Sequence, residues 1–441
     1  MSLAGFQRLG VHSAAMGPLI RGLVAALLPV PLMAAGIALT KPEDVGLSTE
    51  RLGRIHALVE RHIADKDLSG AVTLVARRGK VVHFEAHGLA DIDARKPMQT
   101  SALYRLASMT KPLTAVSILM LMEDGRLLLS DPVSKYIAEF RDPKVAVWRL
   151  PNDPSGPGAT LVPAAREITI KDLLTHTSGL ANGFNGPAGD FVRRANLPTG
   201  GSLDERVRRL GKLPLNFQPG SQWEYSPGTG FDTLGRIIEI QSGMNLSQFF
   251  KARIFDPLGM KDSFFDIPES RRGDLVVAYV KNEKGLVAAP PSPALSNAPG
   301  QYYSGAGGMT STAQDYLQFC QMLLNGGGLN GTRLISRKSV ELMTSDAIPK
   351  LDLRNYSNAT YANGGEQILQ GYGFGLGVRI RRNNGENGWL GTPGDYGWAG
   401  ALGTYFWIDP KEQLVAMILM QTPIRPLRME FPNAVYQAFI D

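Results

Sequence analysis

The sequence predicts an α/β fold of the α+β kind: one antiparallel sheet of about five strands, built from both ends of the chain, flanked by helices, with a mostly helical part inserted between. Three observations carry this. β-rich runs lie early, at residues 70–76 and 81–86, joined by the turn residues Arg77-Arg78-Gly79-Lys80. They return late, at 373–380, 401–408 and 414–420, the last two joined by Asp409-Pro410-Lys411-Glu412-Gln413. Between these ends the apolar residues recur at helical spacing.

Taken in order, a first helix is expected from Ser48 to Ile63, where Leu52, Ile55, Leu58 and Val59 share a face and Ser48 is placed to cap it. The early runs then read as a hairpin. Helices follow at 110–123, 169–175, 203–211, 230–242, 246–254 and 312–325, and a last one from about 432 to 440. Pro- and Gly-rich stretches at 151–163, 184–202 and 286–308 read as long loops. Residues 39–130 and 330–441 would form the sheet domain, and residues 131–329 the helical one.

Composition excludes several function classes. The 441 residues are 44% hydrophobic and 20% charged, an ordinary globular balance. The net charge of +6 is spread along the chain without a basic run, so no nucleic-acid partner is expected. The one cysteine, Cys320, rules out internal disulfides and Cys-based zinc sites, and its apolar helical setting marks it as core. At the N-terminus, Arg21 precedes an apolar run from Gly22 to Leu39 that ends in small residues up to Ala38. This describes a secretory signal spanning residues 1–38, hence a periplasmic or secreted protein with no stable membrane insertion after cleavage. An uncleaved anchor is the alternative, since the run approaches spanning length.

The chemistry emerges by elimination. Of six histidines, none follows His176, so a Ser–acid–His order is impossible for any late histidine. G-x-S-x-G, H-E-x-x-H and phosphate-loop patterns are absent. A nucleophile here must be activated without histidine, and lysine can do that. Ser108-Met109-Thr110-Lys111 is an S-x-x-K pattern that opens an apolar helix carrying Leu113, Val116, Leu119 and Met120. Residues three apart share a helix face, so Oγ and the amine can meet. Alone the pattern is weak, and its plain reading is a helix cap with an exposed lysine. A helix this apolar is buried, however, and a lysine held there needs partners.

The stretch Tyr104 to Ala115 resembles the nucleophile helix of cephalosporinase-type serine β-lactamases, and more closely that of the β-lactamase-like esterases of lipase family VIII. Further similar motifs follow in the family's order: Asp124-Gly125-Arg126-Leu127, Ile170 to Leu180, Tyr225-Ser226-Pro227-Gly228, Pro257-Leu258-Gly259-Met260, Gly305 to Met309 and Gly397-Trp398-Ala399-Gly400. The resemblance covers about residues 45–440. It implies the β-lactamase/DD-peptidase-like fold and a catalytic set of Ser108, Lys111 and Tyr225. It also implies an oxyanion hole from the backbone N–H groups of Ser108 and Ala401, and substrate contacts from Trp398 and Gly400. Tyr302 and Tyr303, with the 184–202 and 286–308 loops, are expected to complete the acyl pocket. Pro227 stands where the family's β-lactamases carry an asparagine, and Trp398 where they carry a cation. Both departures suit a neutral ester. His176, Asp172 and Asp131 read as structural.

The implied reaction is hydrolysis of small carboxylic esters, short-chain ones foremost, through an acyl-enzyme, with no cofactor or metal. A β-lactamase or D-amino-acid peptidase, an acyltransferase, or an inactive binding protein of the same fold are the alternatives.

Overall fold

Every residue of Gly70–Arg77 and of Leu414–Met420 is buried. Strands covered on both faces read as continuous apolar runs, and these two lie side by side in the middle of the sheet. The computed structural model describes residues 37–441 apart from 151, 154, 156–157, 184–185, 291–301, 352, 354–368 and 387. The secretory-signal reading therefore falls almost wholly outside the described residues. Among these no helix is long and apolar enough to cross a membrane.

From the first end come β1 (Gly70–Arg77), β2 (Lys80–Asp91) and β3 (Lys96–Pro97). From the other come β4 (Tyr372–Phe374), β5 (Arg379–Arg381), β6 (Tyr396–Ala399), β7 (Tyr405–Asp409) and β8 (Leu414–Met420). Their order is β4-β5-β6-β7-β8-β1-β2-β3, antiparallel throughout. The two ends are stitched at β1–β8, where Leu74 faces Met417.

The helices that matter for the site are α1 (Thr49–Ala64), α2 (Lys111–Glu123), α3 (Ile170–Leu174), α4 (Leu203–Gly211), α5 (Thr229–Ser242), α6 (Ala313–Leu324) and α7 (Arg425–Tyr436). α1 starts at Ser48, whose Oγ accepts from Arg51 N at 3.2 Å. Its face of Leu52, Ile55 and Val59 joins Phe431 and Val435 of α7 and Trp407 of β7 in one core. α6 packs on the sheet, against β1, β7 and β8. α2 is buried all round from Lys111 to Leu121 and packs against α5. A helix without a polar face belongs inside a protein.

The sheet departs from the sequence reading in its short members. Residues 373–380, read as one strand, form the hairpin β4–β5, with Gly375 N bonded to Val378 O at 2.8 Å and Gly377 at φ 78°. Strands of two or three residues are too short to leave a periodicity, which is why eight strands stand where about five were legible. The last helix, expected from about 432, begins at Arg425, with Pro426 in its first turn and Pro432 inside it. The predicted loops also hold elements. Ala159–Pro163 pairs with Lys144–Trp148, Gly285–Ala288 with Tyr279–Asn282, and Gly189–Ala195 is helical.

Leu119, fully buried in α2, tests the packing. Leu119→Ala is expected to cost about 2–5 kcal/mol in denaturant unfolding. A cost below about 1 kcal/mol would mean that α2 is not close-packed.

Candidate active site

Ser108 sits in a 3₁₀ turn, Ala107–Thr110, that leads into α2. Residues i and i+3 eclipse in such a turn, so Ser108 and Lys111 are aligned more directly than on an α-helix. The turn is pinned from several sides. Leu106 N donates to Met309 O at 2.9 Å, Thr404 Oγ1 to Leu106 O at 3.1 Å, and Tyr316 Oη to Met109 O at 2.9 Å. Ala107 is held at φ 47°, a conformation that a residue with a Cβ adopts at a cost of order 1–3 kcal/mol. Such strain directly before a serine is a common mark of a functional turn.

The structure brings Ser108, Lys111 and Tyr225 together. Lys111 Nζ lies 2.9 Å from Ser108 Oγ, 2.8 Å from Pro227 O and 2.8 Å from Ala306 O. Tyr225 Oη donates to Ser108 Oγ at 2.6 Å. Lys111 is 0% exposed and Ser108 9% exposed, so the amine is sealed in while the serine keeps a little exposure. Among the described residues no carboxylate forms an ion pair with Lys111. Burial pulls its pKa down to about 7, and Asp232 of α5 opposes this only in part. Asp232 is occupied by Ser304 Oγ at 2.6 Å and Arg206 Nε at 3.1 Å. Burial pushes the Tyr225 phenol up to about 12, against the hydrogen bond to Ser108. At neutral pH the tyrosine is therefore a donor, and the lysine is the group able to accept a proton.

His176 lies behind this set. Its ring packs 4.7 Å from that of Tyr225 and 5.2 Å from those of Phe231 and Phe374. Burial, then the Lys111 charge, hold it well below its ordinary pKa, so it adds no charge to the site. Asp172 forms a capping box with Thr169 and pairs with Arg166, and Asp131 accepts from Leu128 N, Lys135 and Tyr136. Cys320 is buried in α6.

β6 runs alongside the nucleophile. Gly400 N donates to Thr404 O at 2.7 Å. A Cβ on Gly400 would stand 2.1 Å from Thr404 Oγ1 and 2.4 Å from Leu106 O, so only glycine lets the strand end lie against the Ser108 turn. Ala401 follows, exposed. Ser108 N–H belongs to the first turn of its helix, where donors have no intrahelical acceptor.

Trp398 and Tyr225, with ring centroids 5.2 Å apart, form one end of a cleft of about 870 Å³, part of it open to solvent. Trp223, Trp389 and Ala399 also line it, as do Arg379, Arg381 and Arg428. The cleft is thus lined by aromatic rings and by guanidinium groups, that of Arg381 paired with Asp395 at 2.6 Å, where the sequence reading took Trp398 to mark a neutral pocket. Tyr302 and Tyr303 do not line it. Tyr303 Oη is taken by Asp266 at 2.6 Å, and Tyr302 stacks under Arg206 at 5.2 Å. Sequence reasoning also missed the carbonyls of Pro227 and Ala306. Both lie inside motifs it had quoted, but a backbone acceptor has no residue signature.

Gly400→Ala tests the close approach. Expected are a fall in Tm and a drop of at least about tenfold in the rate of Ser108 labelling by a fluorophosphonate. Unchanged labelling would show that the strand end does not shape the site.

Comparisons with known proteins place the chain in a family. A family model described as Beta-lactamase matches residues 55–436. Esterase EstB of Burkholderia gladioli is 36% identical over 286 residues, covering 60% of this chain and 68% of that protein. Among solved structures, EstCE1, described as a hydrolase with promiscuous acyltransferase activity, superposes with a TM-score of 0.70 at 25% identity, covering 88% of this chain and 99% of that one. A family VIII carboxylesterase superposes with a TM-score of 0.66 at 19% identity, covering 89% and 99%. The chain belongs to the β-lactamase family.

Proposed function

We propose that this protein is a serine carboxylesterase that cleaves small esters, short-chain ones foremost, through an acyl-enzyme. Ser108 is the nucleophile, Lys111 the general base and Tyr225 the proton relay. The observation that carries this reading is the set of three oxygens around Lys111 Nζ. A neutral amine has two N–H groups and one lone pair. With the N–H groups donated to Pro227 O and Ala306 O, the lone pair is left facing Ser108 Oγ.

In the first step Ser108 Oγ bonds to the ester carbonyl carbon as its proton passes to Lys111. The carbonyl oxygen takes the negative charge, met by the N–H groups of Ser108 and Ala401. As the intermediate collapses, the bond to the alkoxy oxygen breaks. Tyr225 gives that oxygen a proton and recovers one from Lys111. Water then attacks the acyl-enzyme with the same groups in reverse roles and releases the acid. Trp398 and Tyr225 offer the acyl group an aromatic wall, and Gly400 admits it to the backbone.

A second reading on the same serine is hydrolysis of a β-lactam or a D-amino-acid peptide. Arg379 in the cleft lining favours it, because such substrates carry a carboxylate, whereas Arg381 is already paired with Asp395 at 2.6 Å. Pro227 and Trp398 weigh against it. Acyl transfer to an alcohol differs only in the second acceptor, and the likeness to EstCE1 supports testing it. An exported enzyme is the matching reading of residues 1–38, resting on Arg21 and the apolar run alone.

Ser108→Ala is expected to stay folded and lose essentially all ester turnover. Lys111→Met and Tyr225→Phe should each lower kcat by about 10²–10⁴-fold. Full activity in Ser108→Ala would end this account. On wild type, p-nitrophenyl butyrate should be cleaved faster than nitrocefin. The reverse order would select the β-lactamase reading.

A further inference from the structure

Between α1 and the sheet, imidazoles and carboxylates gather that the reaction does not use. His83, Glu85 and His87 are alternate residues of β2 and so share a face. His56 and Glu60 are one turn apart on α1. Ligand atoms of His56, Glu60 and His87 lie within 4.8 Å of one another.

His87 is the informative residue. Its side chain is 0% exposed. Nε2 is 3.0 Å from Thr73 Oγ1, while Nδ1 is buried with no hydrogen-bond partner. Nδ1 instead faces the Glu60 carboxylate at 3.6 Å. Thr73 Oγ1 also meets His83 Nε2, at 2.7 Å. If the Thr73 hydroxyl donates to His83, it accepts from His87 Nε2–H. His87 Nδ1 is then a bare lone pair pointing at a carboxylate. Two acceptors then face each other, the His87 ring fully buried and the Glu60 carboxylate partly exposed, an arrangement that a cation resolves.

We propose that His56, Glu60 and His87 form a divalent transition-metal site, of Zn²⁺ type, that clamps helix α1 to strand β2. Two imidazoles and one carboxylate suit zinc, with water in the remaining position. Neighbouring ligand atoms around tetrahedral zinc are about 3.3 Å apart, close to the Glu60–His87 separation. The second shell is present too. Thr73 Oγ1 meets His87 Nε2 at 3.0 Å, and Glu85 holds His56 Nδ1 at 2.7 Å. His56 and Glu60 reach solvent, which gives the ion a way in. The other grouping, His83, Glu85 and His87, would use His87 Nε2, which Thr73 already occupies.

The test is Zn²⁺ titration of the chelator-treated full chain by calorimetry, with Tm read in parallel. The variants are His56→Ala and Glu60→Gln, whose partly exposed positions spare the fold. Expected are one bound Zn²⁺ per chain, a Tm rise of several degrees, and affinity at least about tenfold weaker in either variant. Ester hydrolysis should be unchanged in both. The proposal is overturned if wild type binds no Zn²⁺, as when a proton on His87 Nδ1 satisfies Glu60, or if both variants bind and are stabilised as wild type is.

Discussion

A lysine amine sealed from water without a carboxylate beside it is the constraint around which this molecule is arranged. The charged form is penalised by burial, so the amine is driven toward neutrality near physiological pH. The neutral form is welcome only where its two donors and its lone pair all find partners. Pro227 O, Ala306 O and Ser108 Oγ supply them. A carboxylate in contact would have stabilised the fold and kept the lysine protonated. Asp232 approaches, but Ser304 and Arg206 hold it to other work.

The rest of the architecture delivers those three oxygens to one point. α2 brings Lys111 and the serine turn. The residues entering α5 bring Tyr225 and Pro227, and the turn before α6 brings Ala306. The sheet contributes the end of β6, which Gly400 allows to lie against Leu106. Strain at Ala107 is tolerated because Met309, Thr404 and Tyr316 hold the turn from different elements. A site that depends on backbone carbonyls tolerates little drift, which accounts for the density of bonds around it.

How much of this was legible follows from what kind of atom does each job. Ser108 and Lys111 were readable because their relation is local, one helical turn. Tyr225 was readable through the motif around it. Strands β1, β2, β7 and β8 were readable because long buried runs leave a pattern, whereas β3, β4 and β5 are too short to leave one. Pro227 O and Ala306 O were hidden because any residue carries a carbonyl. The partners of Tyr302 and Tyr303 were not legible, because Arg206 and Asp266, which engage them, are far away in sequence. The histidine cluster escaped because its members come from α1 and β2, so no contiguous spacing announces it. Arg379 escaped for the same reason. It points into the cleft from a strand whose hairpin the sequence did not resolve.

The most direct test of the central claim is the pH dependence of Ser108 labelling by a fluorophosphonate, which reports the acylation step alone. The account predicts a rate that rises with pH through one ionisation near 7 and is then flat to about pH 9, as Lys111 loses its proton and Tyr225 keeps its own. A rate still climbing toward pH 10, the range of an ordinary lysine, would contradict it.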